Sequence, residues 1–155
     1  MSKTALFLHA LLRTAVDEIR SSNISVFTFA LYHDHASRAV SVCVDTQASS
    51  ERLVRSSNRF SMEYFFEAVA EGDLEEASGW QANVGRSLSL GDFALVNVAR
   101  QDIVGLPVNK QFYLQMARAL IAFQDEIASL SQQPEQLLFA CSGPDAEVAM
   151  VWSLP

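Results

Sequence analysis

Basic side chains are scarce in this chain: 11 Lys and Arg stand against 18 Asp and Glu, a formal net charge of -7. With a pI near 4.8, the chain lacks the Lys/Arg surface that general binding to a phosphate backbone requires. Cysteine is rarer still. Cys43 and Cys141 lie far apart in the apolar runs SVCVD and LFACSG, without metal-ligand spacing or a disulfide framework, so both are expected to be buried free thiols. Only 6 Gly and 4 Pro accompany 50% apolar and 19% charged residues, which excludes a collagenous, low-complexity or disordered polypeptide.

Long apolar runs are also missing. No stretch approaches the ~18 to 20 uninterrupted apolar residues of a membrane span. The apolar patch near the first residue is broken by His9 and Arg13, and no small-residue cleavage site precedes Asp17 and Glu18. It therefore does not read as a signal peptide, and a cytoplasmic location is expected. The motifs G-x-S-x-G, G-x-x-x-x-G-K-[ST], H-E-x-x-H and C-x-x-C do not occur, which removes the local signatures of hydrolysis, phosphate cradling, zinc binding and thiol redox chemistry.

A chain of 155 residues has the size of one domain and can bury about 70% of the surface its unfolded form exposes. No repeat or linker divides it, so residues 1–155 are expected to form one domain. Leu8, Leu12, Ala15, Val16 and Ile19 recur at helical spacing and predict an amphipathic helix over about 3–21. Residues 24–33, ISVFTFALYH, predict a strand covered on both faces, and RAVSVCVD a second strand joined to it as a hairpin. Helices follow over 49–71 and 110–130, the later one with Asn109 as a candidate cap. The segments LLFACS and AEVAMVW predict two more strands joined at Gly143, Pro144 and Asp145. Phe93–Ala99 fits a strand by its valines and a helix by Asp92 as a cap. Neighbouring strands joined by hairpins point to the α+β class, an antiparallel sheet of four or more strands with helices packed on it, and not to a doubly wound parallel sheet.

Two groups of residues carry candidate chemistry. His33, Asp34 and His35 form an H-x-H pattern that places both imidazoles on one strand face. No third metal ligand accompanies them, and the favoured reading is a polar turn with both rings in water. No metal or cofactor is expected. The second group is acidic: Glu63, Glu67, Glu71, Asp73, Glu75 and Glu76 occur with no Lys or Arg between Arg59 and Arg86, and the rest of the chain is almost balanced, 12 acids to 11 bases. On a helix Glu63, Glu67 and Glu71 form one stripe with Phe60 and Tyr64 within or beside it. Met62, Phe65, Phe66 and Val69 fall on the other side, which is expected to pack. Such a face either keeps the protein solvated or docks a basic partner. Trp80 reads as a core anchor or an exposed contact, and Trp152 as core.

The hairpin FTFALYHDHASRAVSVCVDT, the helix after it, the Trp80 region and the late helix leading into LLFACSGPDAE resemble, in their order, a family of uncharacterised bacterial proteins catalogued as a domain of unknown function. Members look like immunity proteins of polymorphic toxin and contact-dependent or type VI secretion loci. The resemblance implies a cytoplasmic protein that is not an enzyme and that binds and inactivates a cognate protein toxin with a basic active-site cleft, with no direct nucleic acid or membrane contact. Under it, the partner-binding residues would be Phe60, Glu63, Tyr64, Glu67, Glu71, Asp73, Glu75 and Glu76. Two other classes stay open: a small enzyme with carboxylate or His chemistry in a cleft, and an adaptor that assembles with itself through the aromatic side of the same helix.

Overall fold

The computed structural model describes residues 1–155. Its elements run α1 (Lys3–Ser22), β1 (Thr28–Asp34), β2 (Ala39–Asp45), α2 (Gln47–Ala70), α3 (Leu74–Gly79), β3 (Leu95–Asp102), α4 (Lys110–Ala128), β4 (Leu138–Cys141) and β5 (Met150–Ser153). The fold is α+β, and the five strands form one sheet in the order β3-β2-β1-β4-β5. Contacts divide the chain into two compact units, the sheet-bearing Met1–Thr46 with Leu90–Pro155, and the helical Gln47–Ser89.

In the sheet-bearing unit the period-2 pattern of β1 and β2 sets the layers. Phe29 and Leu31 of β1 and Val40, Val42 and Val44 of β2 face one side. Leu8, Leu12, Val16 and Ile19 of α1 and Phe112, Met116, Leu120 and Ile127 of α4 pack against them, all fully buried. The alternate residues Ala30, Cys43 and Ala140 face the other side, under Leu90 and Phe93. β1 is thus covered on both faces, and the β1–β2 hairpin forms as the alternation predicts. The helices are closed by local chemistry. Ser2 caps α1 by accepting from the Ala5 amide, and Asn109 caps α4 by accepting from Gln111 and Phe112. Arg13 grips Glu126 with two 2.7 Å hydrogen bonds, a planar fork that ties α1 to α4.

Several details of the sheet go beyond the sequence expectation or depart from it. β4 lies parallel to β1, although every other strand pair is antiparallel. Phe93–Ala99 resolves as the approach to β3 and its first half, preceded by a single 3-10 turn at Leu90–Asp92. The β2–β3 register slips between Val42 and Val44. Asn97 there adopts φ 57° and accepts a 2.6 Å hydrogen bond from the Ser41 hydroxyl; Asn tolerates this conformation better than the valines around it. Finally, β4 and β5 pair as expected, but the connection spans residues 142–149 and is no tight turn. Trp152 of β5 is half-buried and stacks on Phe139 of the core, ring centroids 5.6 Å apart.

Candidate functional site

The acidic and aromatic residues gather in the helical unit Gln47–Ser89, and local signals explain why. α2 ends in a Schellman motif: the Gly72 amide donates to the Val69 carbonyl and the Asp73 amide to that of Ala68. Gly72 supplies the positive φ of 74° that this closure requires. Asp73 then caps α3, accepting from the Glu76 amide at 3.0 Å. One short helical stretch later the chain turns back along α2. Trp80 stacks on Tyr64, centroids 4.8 Å apart and planes 21° off parallel, and Phe60 packs at 4.7 Å on Tyr64. Two hydrogen bonds join Asn58 to the backbone of Asn83, and the Ser87 amide reaches the Ser50 hydroxyl at 3.0 Å. The return segment is therefore pinned to α2 at three levels.

The result is a three-ring cluster with a carboxylate on it. The Trp80 indole N–H donates to the Glu76 Oε1 at 3.0 Å. Phe60 and Tyr64 remain 53% and 41% exposed, although their rings touch. Glu63, Glu67, Glu71, Asp73 and Glu75 are also exposed, and no ion pair ties any of the six acids to Lys or Arg. All eight residues singled out in the sequence thus lie on one helical hairpin with their carboxylates in water. Trp80 completes the cluster; the short spacing from Gly72 and Asp73 was its only signal.

The expected packing of the opposite side does not occur. Met62, Phe65, Phe66 and Val69 are 46%, 38%, 58% and 55% exposed. Only Ser50 and Ala68 of α2 are buried, because α3 and the return segment cover one narrow face of the helix. The helical period of α2 holds, but its apolar stripe has no covering layer. Sequence reasoning also passed over Arg52, Arg55 and Arg59, which share this exposed helix; their spacing of three and four was the signal.

The histidine pair is corrected too. His33 does not face water: it is 4% exposed and its Nδ1 lies 2.9 Å from the Tyr113 hydroxyl, which lies 3.3 Å from the His35 Nε2. The hydroxyl can donate to one ring and accept from the other. Burial and the neighbouring His35 hold the His33 imidazole below its ordinary pKa. No group of three or more His, Cys, Asp or Glu is placed to hold a metal ion. Both cysteines are buried and unpaired, and burial pushes the Cys141 thiol up to about 12, so neither is a ready nucleophile. No helix is long and apolar enough to cross a membrane.

Fold and surface together define an α+β protein that carries an exposed acidic and aromatic helical hairpin. Compared with protein-family models, with curated proteins and with solved structures, the chain matches none.

Proposed function

We propose that the chain is a binding protein rather than an enzyme, a toxin-neutralising immunity protein whose hairpin docks on a basic protein partner. One observation carries the proposal: Phe60, Tyr64 and Trp80 form a half-exposed ring cluster on a hairpin whose six acids make no ion pair. Carboxylates on the same helix four residues apart repel by about 0.2 to 0.5 kcal/mol per pair, so the stripe Glu63, Glu67, Glu71 costs helix stability without internal compensation. A cationic surface removes that cost, speeds encounter, and leaves the rings to supply affinity. The toxin-directed role rests on the resemblance in element order described above. Within it, the acidic face would occlude a cleft built for phosphate groups, and the partner would be a toxin acting in the cytosol.

The test uses the polypeptide encoded by the adjacent open reading frame. Its expression should be toxic, co-expression of this chain should restore growth, and the double variant Phe60→Ala, Glu75→Lys should restore it poorly. A non-toxic neighbour, or full protection by the double variant, overturns the proposal.

A further inference from the structure

His33, Tyr113 and His35 form a chain of hydrogen bonds that runs from the interior of the sheet-bearing unit to its surface. The His33 Nδ1 lies 2.9 Å from the Tyr113 hydroxyl, and that hydroxyl lies 3.3 Å from the His35 Nε2. His33 and Tyr113 are buried, whereas His35 is exposed. The other nitrogen of the inner ring is stranded. His33 Nε2 is buried with no hydrogen-bond partner, and Phe112 packs on the same ring with centroids 5.8 Å apart.

One hydroxyl proton serves two imidazoles, so with both bonds made the neutral chain has only two arrangements. If Tyr113 donates to His33, the His33 proton sits on Nε2 as a buried N–H without an acceptor. If His33 Nδ1–H donates to Tyr113, and Tyr113 donates to His35, Nε2 is a bare lone pair. A buried N–H without an acceptor is the rarer defect in folded proteins, which favours the second arrangement. Burial, and then Asp145 in the connection after β4, push the Tyr113 phenol pKa up, so the hydroxyl keeps the proton it donates.

We propose that this chain of bonds is an acid-opened clasp, which fastens the first turn of α4 to the end of β1 only while both imidazoles are neutral. A proton added to His33 enters at Nε2, where no acceptor meets it. A proton added to His35 turns its Nε2 into a second donor to Tyr113, whose own hydroxyl proton then has no acceptor. Either event breaks the chain. With both rings charged, centroids 4.3 Å apart, they also repel. Arg38 adds to that repulsion, and Asp34 opposes it but is shared with Arg100. Burial and His35 hold the His33 imidazole below its ordinary pKa in the closed form. The open form therefore takes the proton more readily, so the clasp is complete above the open-form value, about 6.5, and loosens as pH falls below it. The device lies wholly in the sheet-bearing unit and involves no partner, so it stands independently of the toxin reading.

Two measurements on the full chain test it. Ring nitrogen shifts in the NMR spectrum at about pH 7.5 should show His33 protonated at Nδ1 and bare at Nε2. Amide hydrogen exchange, corrected for the intrinsic effect of pH, should show protection in 111–116 falling about tenfold between about pH 7.5 and 5. That opening should be local: low urea should not accelerate it, whereas exchange in β2 stays slower and urea-dependent. The double variant His33→Asn, His35→Gln keeps an amide donor and an amide acceptor for Tyr113 but cannot titrate, so its protection in 111–116 should not fall. His33 protonated at Nε2 near neutral pH overturns the proposal, and this readout needs no variant to fold. Unchanged or urea-accelerated exchange in 111–116 of the parent at the lower pH, or a folded double variant that loses protection as the parent does, overturns it too. None of these outcomes alters the Phe60→Ala, Glu75→Lys result, so the two readings fall separately.

Discussion

Trp80 lies flat on Tyr64, its ring centroid 4.8 Å away, with the indole N–H held by Glu76 four residues earlier. This contact joins the return segment to α2 in a unit whose helix buries only Ser50 and Ala68.

Trp80→Ala should therefore loosen the hairpin and leave the sheet intact. An aromatic pair contributes about 0.5 to 1.5 kcal/mol beyond its area, and that loss should appear as faster amide exchange in 47–89. Exchange in β1, β2 and β4 should not change. Equal acceleration in both units would show that the ring contact is not local.

Gly72→Ala probes the same hairpin through its backbone. The position needs φ of 74°, which costs an L-residue about 1 kcal/mol. No neighbour lies near the added Cβ, so the loss should be conformational only and Gly72→Asn should recover part of it. Equal stability of Gly72→Ala and the parent in denaturant titration contradicts the Schellman closure.

His33 makes stability pH-dependent. Its imidazole faces Asp34 on β1, His35 and Arg38 in the turn after it, and Tyr113 of α4. A histidine whose pKa is lowered on folding binds its proton more readily when unfolded. Stability is then complete above the unfolded value, about 6.5, and falls as pH drops below it. The Tm of the parent should decline between about pH 7 and 5, and His33→Gln should flatten the slope whatever its effect on Tm at neutral pH. An unchanged slope rules out His33 as the source.

Asp34 sets a second, lower transition. Arg100 donates to it at 2.8 Å, and this bond holds its carboxyl at about 2. A lowered carboxylate pKa stabilises the fold above the unfolded value and loses that contribution as pH falls toward 2. Asp34→Asn should lower stability near neutral pH and reduce the acid sensitivity below pH 4. A parallel shift of the whole acid limb would contradict it.

The sheet-bearing unit was legible because its residues obey the two elementary periods. Val40, Val42 and Val44 alternate, Leu8, Leu12 and Ile19 recur at helical spacing, and Asn109 supplies its cap by residue type alone. The parallel placement of β4 beside β1 was not legible, since strand neighbours depend on packing beyond the chain segment. The β2–β3 slip at Asn97 was hidden for the same reason. In the helical unit the acidic stripe was legible from charge and spacing, but the fate of Phe66 was not: a helical apolar stripe has one pattern whether a core or a partner covers it. His33 was misplaced because a polar H-D-H triplet beside a turn reads as solvated, and only Tyr113, eighty positions later, supplies its buried hydrogen bond.

Calorimetric titration of the adjacent gene's polypeptide into this chain, repeated with the Phe60→Ala, Glu75→Lys variant and at two salt concentrations, tests the central claim most directly. The account predicts tight binding by the parent, weakened at least about tenfold by the double variant and by added salt. Binding of equal strength by both chains at both salt concentrations would contradict it.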